Sequence, residues 1–123
     1  MAEFSIAARF KSIGYALTGI ATMMRTQHNA WLHLAATVAV ILLALALQVS
    51  ASEWMALILA IVIVWSAEAL NTAFERLCDV AHPDFHPLVK QAKDVAAAAV
   101  LIAATGSVAV GLLIFGPRLV ALL

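Results

Sequence analysis

Residues 54–81, WMALILAIVIVWSAEALNTAFERLCDVA, decide the fold because they join an apolar run to a polar one without a break. The purely apolar part ends at Ala67 after about 14 residues, whereas a helix needs about 20 residues to cross a bilayer. Neither proline nor glycine interrupts the stretch, so the helix must continue through Glu68 and Asn71 to complete its crossing. We therefore expect this polar group within the hydrocarbon layer or at its edge.

The composition extends this interpretation to the whole chain. Hydrophobic residues make up 65% of the 123 residues and charged residues only 11%, with a mean hydropathy of +1.04. Soluble domains are about half apolar and about a quarter charged, and a soluble fold of this size could not bury so much apolar surface. The sequence predicts an all-α integral membrane protein formed by a single membrane domain, residues 1–123. The net charge of zero argues against a nucleic-acid partner.

Two more segments are predicted to cross the membrane. Residues 30–49 form an apolar run of about the length that a bilayer requires. Residues 88–115 form the third span. It begins after a loop at 82–87, whose two prolines forbid a helix, and we expect Gly116-Pro117 to end it.

The segment before the first span has a different pattern. Within residues 5–27, apolar side chains recur at alternating spacings of four and three and form one stripe on a helix: Ile6, Phe10, Ile13, Leu17, Ile20 and Met24. The pattern is typical of a helix lying in the membrane interface, and equally of an amphipathic helix packed on the rest of the protein. Before the second span, we expect Ser52 and Glu53 to cap the helix.

Size and charge predict the assembly and its orientation. Three spans and one surface helix are too few for a transporter built from internal repeats, so we expect an oligomer. Six basic residues lie before the first span or beside the 82–87 loop: Arg9, Lys11, Arg25, Arg76, Lys90 and Lys93. The one remaining basic residue, Arg118, follows the third span, at the opposite end from the loop. Because basic residues favour the cytoplasmic side, the N-terminus and the loop are predicted to be cytoplasmic.

Four polar residues follow one face of the second span. An α-helix turns by about 100° per residue, so a single stripe contains Glu68, Asn71, Glu75 and Asp79. A carboxylate that faces lipid is costly, so the stripe must face protein or water. Glu68 is the strongest functional candidate because it lies deepest. Glu75 and Asp79 could instead form a solvated helix end, paired structurally with Arg76 or Lys93.

These motifs together are specific. Glu68–Glu75 (EALNTAFE) is followed, after the proline-rich turn, by His86-Pro-Leu and by Ala92–Leu101 (AKDVAAAAVL). The N-terminal half contributes RFKSIGYA at Arg9–Ala16 and NAWLHL at Asn29–Leu34. Over roughly residues 9–116, the chain resembles the small prokaryotic diacylglycerol kinase and undecaprenol kinase family.

The resemblance implies an architecture and a reaction. It implies a homotrimer of three-span subunits, each with a surface helix, in the bacterial inner membrane. It also implies a lipid kinase, which transfers the γ-phosphate of ATP to the hydroxyl of a membrane lipid alcohol at the cytoplasmic face.

The resemblance also implies roles for individual residues. Glu68 would be the base that takes the hydroxyl proton, Asn71 would orient the reacting groups, and Glu75 would hold Mg²⁺. The positions implied to bind ATP are Tyr15, Glu75, Asp84, His86, Lys93 and Asp94. The positions implied to bind the lipid are Glu68, Trp31 and Ala97. Asp79 would support this site.

General chemistry agrees with these implied roles. Phosphoryl transfer depends on positioning and charge neutralisation, and Mg²⁺ is commonly held by one or two carboxylates together with substrate phosphates. The chain contains no GxxxxGK[ST] motif, so it is not a P-loop enzyme.

One position departs from the family pattern. The family usually has a second metal-binding glutamate where this chain has Gln27, whose neutral amide would hold Mg²⁺ more weakly. His28 could contact phosphate there, although a solvated turn histidine is the more ordinary interpretation.

The sequence favours one substrate only slightly and is compatible with two competing functions. Asn29, His33 and the AKDVAAAAV run favour the undecaprenol kinase branch slightly over the diacylglycerol kinase branch. The competing hypotheses are a non-enzymatic membrane oligomer, such as a proton-conducting or scaffolding subunit, and a catalytically degenerate family member.

Overall fold

The computed structural model describes residues 5–123, and all the regular secondary structure within them is helical. The helices are α1 (Ile6–Thr26), α2 (His28–Ala46), α3 (Ala51–Ala81) and α4 (Pro87–Val120). The last three are long and apolar enough to cross a membrane. The predicted all-α membrane class with three spans is confirmed; residues 1–4 of the predicted single domain lie outside the described residues.

The apolar stripe of α1 is not packed against the rest of the chain. Ser5 begins the helix by accepting a hydrogen bond from the Ala8 amide at 3.4 Å. Ile6 and Phe10 are exposed, as are the stripe residues up to Ile20, and only Met23 near the end of α1 is buried. The stripe must therefore be covered by something outside this chain. Of the two interpretations of α1, packing on its own subunit is wrong for most of the helix.

The connection between α2 and α3 differs in detail from the sequence prediction. α2 ends at Ala46, and Gln48 adopts a left-handed conformation with φ 49°. The N-cap of α3 is Ser50, so the prediction of Ser52 is wrong. Ser50 lies three residues before Glu53, and each side chain accepts a hydrogen bond from the backbone amide of the other residue. This reciprocal capping box requires the spacing Ser-x-x-Glu, which Ser52 cannot supply.

The end of α4 is also different from the prediction, because the helix continues through Pro117 to Val120. Arg118 explains the continuation. Its guanidinium binds both carboxylate oxygens of Glu53, at 2.6 and 2.7 Å, and donates to the Ile114 carbonyl at 3.0 Å. These contacts attach the last turn of α4 to the start of α3 and stabilise helical structure that the proline alone would disfavour.

α3 is the central element of the subunit. It packs most extensively against α4 and less extensively against α2 and α1. A small apolar core lies where the α2–α3 connection meets the end of α4: Ala44, Val49, Leu57, Ile114 and Phe115. The accessible surface of the chain is 9007 Å², whereas a compact soluble protein of this mass exposes about 6,300 Å². The excess is apolar helix surface that lipid or other subunits must cover.

Candidate active site

Glu68 is the centre of the candidate site. Its side chain is only 1% exposed, and it is the largest fully buried side chain in the described part of the chain. Neither carboxylate oxygen has a hydrogen-bond partner among residues 5–123. A buried carboxylate without partners costs folding free energy, so the position is unfavourable for stability and suited to binding or chemistry.

The polar stripe on α3 becomes more exposed along the helix. Asn71, one turn after Glu68, is 8% exposed, Glu75 is half-buried, and Asp79 is 66% exposed. Asn71 donates a long hydrogen bond of 3.4 Å from Nδ2 to Glu75 Oε1. Its Oδ1 is buried and has no partner within the described residues. The stripe therefore leads from a buried acid to a solvent-accessible one, with acceptor oxygens along its length.

The sequence prediction missed the residue nearest to Glu68. His33 of α2 places Nε2 at 3.4 Å from Glu68 Oε2, and its side chain is 17% exposed. Trp65, one turn before Glu68, contacts the His33 ring edge-on and donates from Nε1 to Thr37 Oγ1 at 3.0 Å. From the sequence, His33 served only as part of the NAWLHL motif and as a feature that favours the undecaprenol kinase branch. Its pairing with Glu68 depends on how α2 and α3 pack.

α4 brings a cation to the exposed end of the stripe. Lys93 Nζ lies 2.5 Å from Asp79 Oδ1, which is one of the pairings named for the alternative of a solvated helix end. The neighbouring Asp94 pairs instead with Lys90 of its own helix at 2.6 Å. Of the two predicted nucleotide contacts on α4, Lys93 therefore lies beside the stripe and Asp94 is engaged elsewhere.

Five of the other predicted site residues are exposed. They are Tyr15, Trp31, Asp84, His86 and Ala97. The contacts of three of them are local. Lys11 Nζ lies 5.9 Å from the centre of the Tyr15 ring, the Asp84 carbonyl lies 2.9 Å from His82 Nδ1, and His86 Nδ1 accepts from the Leu88 amide at 3.2 Å. His86 thus caps α4, a structural role that the sequence prediction did not include.

The donor set suits a metal ion that is shared with a substrate. Among residues 5–123 there is no group of three His, Cys, Asp or Glu side chains that could hold a metal alone. Glu75 is half-buried and its hydrogen bond from Asn71 is long, so its carboxylate is available to a hard cation. Gln27 lies between α1 and α2, and its side chain makes no capping bond. Such oxygens fit Mg²⁺ that completes its coordination with phosphates and water.

Two clefts adjoin the site. One, of about 370 Å³, lies between α1 and α3 and is lined by residues that include Met23, Thr72 and Arg76. The other, of about 310 Å³, is an apolar groove among α2, α3 and α4 with His33 at its polar end. Fold and site together define a multi-pass membrane protein. Its buried acid, Glu68, forms the buried end of the polar stripe and contacts His33, which lines the apolar groove.

Comparison with known proteins identifies the family. The family model for prokaryotic diacylglycerol kinase matches residues 14–115. An undecaprenol kinase from Bacillus subtilis is 44% identical over 110 residues, which are 89% of each chain. A diacylglycerol kinase from Synechocystis is 39% identical over 91% of this chain and 65% of its own length. A diacylglycerol kinase from Helicobacter pylori is 35% identical over 76% of this chain and 73% of its own length.

The chain belongs to the prokaryotic diacylglycerol kinase family, which confirms the resemblance inferred from its motifs. Membership makes it a lipid kinase that uses ATP as co-substrate, so the predicted enzyme class is confirmed. The competing hypothesis of a non-enzymatic membrane oligomer is not favoured.

Proposed function

We propose that this kinase phosphorylates the primary hydroxyl of undecaprenol, with diacylglycerol as the second candidate substrate. The buried Glu68 carboxylate, which accepts no hydrogen bond from residues 5–123, is the observation that supports this proposal most directly. The lean toward undecaprenol rests on Asn29, His33 and the AKDVAAAAV run, and on the 44% identity to the Bacillus enzyme of that name.

In the proposed reaction, Glu68 acts as the general base. The lipid hydroxyl oxygen attacks the γ-phosphorus of ATP, the bond from that phosphorus to the bridging oxygen of ADP breaks, and the hydroxyl proton passes to Glu68. Asn71, one turn away, supplies an unpartnered amide oxygen that can orient the reacting groups. The products are the lipid phosphate and ADP.

The remaining predicted residues would bind the two substrates. Bound Mg²⁺, held by Glu75 and Gln27, would neutralise phosphate charge. We propose that Lys93 exchanges its contact with Asp79 for the nucleotide phosphates, because an exposed ion pair is weak enough to rearrange. We assign the other nucleotide contacts to Tyr15, Asp84, His86 and Asp94. We assign Trp31 on α2 and Ala97 on α4, both exposed on membrane-spanning helices, to the lipid.

We also propose how the protein is placed and assembled. The six basic residues near α1 and the 82–86 loop favour a cytoplasmic N-terminus in the bacterial inner membrane. This orientation would expose the polar stripe to cytosolic ATP. The exposed apolar stripe of α1 would lie on the membrane or against another copy of the chain. A homotrimer would cover part of the large apolar surface of α2, α3 and α4.

A phosphorylation panel tests the proposal. Purified protein in lipid vesicles is given γ-³²P-labelled ATP and, separately, undecaprenol, diacylglycerol or a short-chain alcohol, with and without Mg²⁺. We expect the label in undecaprenyl phosphate, a smaller amount in phosphatidic acid, and none without Mg²⁺. Glu68→Gln is the matched control and should transfer the label at least about 10²-fold more slowly than the parent protein. Labelling that favours diacylglycerol would overturn the substrate choice, and labelling by Glu68→Gln at about the parent rate would overturn the role of the base.

A further inference from the structure

We propose that His33 is a positioning residue, which holds the Glu68 carboxylate in the orientation that receives the lipid hydroxyl proton. This inference rests on the proposed role of Glu68 as the base. Family membership and the motifs around Glu68 assign no such role to His33. The inference comes from the packing of α2 against α3.

The first observation is that the two groups are a matched pair. His33 Nε2 is buried and, like both oxygens of Glu68, has no hydrogen-bond partner within the described residues. The two atoms His33 Nε2 and Glu68 Oε2 lie 3.4 Å apart. A small rotation of either side chain would make a hydrogen bond in which the N–H of a neutral imidazole donates to the carboxylate. Hydrogen bonds among catalytic groups are often long in an unliganded site and shorten when substrate binds.

The second observation is a neighbouring contact between α2 and α3 in the same register. Thr37 lies one turn after His33, and Trp65 lies one turn before Glu68 on the antiparallel helix. The hydrogen bond from Trp65 to Thr37 therefore forms the next rung beside the pair of His33 and Glu68. The edge-on contact of the Trp65 ring, with ring centres 6.3 Å apart, restricts the rotation of His33.

The chemistry gives His33 a defined task. A carboxylate inside a membrane span can rotate about its side-chain bonds, and a base acts efficiently only when its oxygen is aimed at the proton. A donor on one oxygen of Glu68 leaves the other oxygen free for the lipid hydroxyl. This arrangement, in which a third group orients the base, recurs in nucleophilic catalysis. His33 also lies at the polar end of the apolar groove, where a hydroxyl carried by a hydrocarbon chain would arrive.

The kinetic test compares three variants in vesicles that contain undecaprenol. We expect His33→Leu to lower kcat about 10- to 100-fold with the KM for ATP within about twofold of the parent value, because a hydrogen bond to a charged group has that effect. His33→Gln places an N–H donor at a similar distance from the backbone and should restore kcat to within about threefold of the parent value. Thr37→Val, which loses a contact of the same interface without touching Glu68, should keep at least half of the parent kcat.

Other kinetic results would overturn the inference. An unchanged kcat in His33→Leu would show that Glu68 needs no partner. Equal losses in His33→Leu and His33→Gln, or in His33→Leu and Thr37→Val, would show that His33 only packs α2 against α3. A parent protein that phosphorylates no lipid alcohol would instead contradict the proposed function.

A measurement independent of activity completes the test. The ¹⁵N signals of the four histidines are recorded in the labelled parent protein, and His33→Gln identifies the signal of His33. We expect Glu68→Gln to shift the Nε2 signal of His33 and to leave the signals of His82 and His86 in place. An unmoved His33 signal would show that the two groups do not interact.

Discussion

Two of the three glutamates of α3 have opposite surroundings. Glu53 and Glu68 lie about four turns apart, roughly 22 Å along the helix axis. Glu53, at the start of the helix, binds the Arg118 guanidinium through both oxygens and also accepts from the Ser50 amide at 2.7 Å. Glu68, in the middle of the chain's most buried span, has no hydrogen-bond partner within residues 5–123.

This difference indicates that Glu53 stabilises the fold, whereas Glu68 is suited to a catalytic role. The carboxylate of Glu53 is about a quarter exposed and fully paired, so it contributes to folding at little desolvation cost. The carboxylate of Glu68 is buried without a hydrogen bond from the described residues, which is unfavourable for folding. A membrane protein can retain such a group when its partner is a substrate, since intramembrane acids are functional candidates by default.

The largest expected effect is on turnover. Glu68→Gln removes the proton acceptor while preserving side-chain volume, so we expect kcat to fall by about 10²- to 10⁴-fold, the usual contribution of a general base. Glu53→Gln should keep turnover within about twofold of the parent value. Initial rates with labelled ATP and saturating lipid measure both. Equal losses in the two variants would erase the functional distinction between the two acids.

The next effect concerns the cation at the exposed end of the stripe. Lys93→Ala should raise the KM for ATP about tenfold, because a charge-assisted contact to phosphate contributes roughly 1.5–3 kcal/mol, reduced here by exposure to solvent. Lys90→Ala is the matched control: it removes an exposed lysine of the same helix and leaves the carboxylate of its partner Asp94 in place for the nucleotide. We expect it to change the KM by less than about twofold. If both variants raised the KM equally, the positive charge near the site would matter and a direct contact of Lys93 with phosphate would not.

The place of Glu68 within the second span, and the polar face that it shares, could be predicted from the sequence because both depend on local geometry. The length of the apolar run at 54–67 requires the helix to continue through Glu68, and the rotation per residue places Asn71 and Glu75 on the same face. Neither conclusion needs knowledge of another helix. The three spans follow from the same reasoning applied to each apolar run.

The rest depends on contacts between distant residues. His33 meets Glu68 only because α2 and α3 pack in one register, and Arg118 extends α4 past Pro117 only because Glu53 lies across from it, 65 residues earlier in the chain. The N-cap at Ser50 was a local feature that the sequence reasoning overlooked. The Ser-x-x-Glu spacing was present and would have identified the cap.

A smaller effect is expected at the position that departs from the family pattern. Gln27→Glu adds a formal charge to the proposed metal site, so the Mg²⁺ concentration for half-maximal activity should fall several-fold. Gln27→Leu should raise it. Titrations of activity with Mg²⁺ at fixed ATP, with free ATP accounted for, give the values. If Glu and Leu at position 27 have the same Mg²⁺ requirement, Gln27 is not a ligand and Glu75 alone remains as the proposed protein contact.

The smallest expected effect is on stability, and it reverses the order of the two acids. Glu53→Gln breaks the bidentate contact with Arg118 and weakens the capping box, so we expect the thermal midpoint in detergent to fall by a few degrees. Glu68→Gln replaces a buried carboxylate, which accepts no hydrogen bond from the described residues, by a neutral amide and should leave the midpoint unchanged or raise it. Arg118→Gln should reproduce the effect of Glu53→Gln. In the double variant the thermal midpoint should fall by less than the sum of the two single effects, because both changes remove the same contact. If Glu68→Gln instead destabilised the protein more than Glu53→Gln, the buried acid would be a structural element, and the contrast between the two ends of α3 would lose its functional meaning.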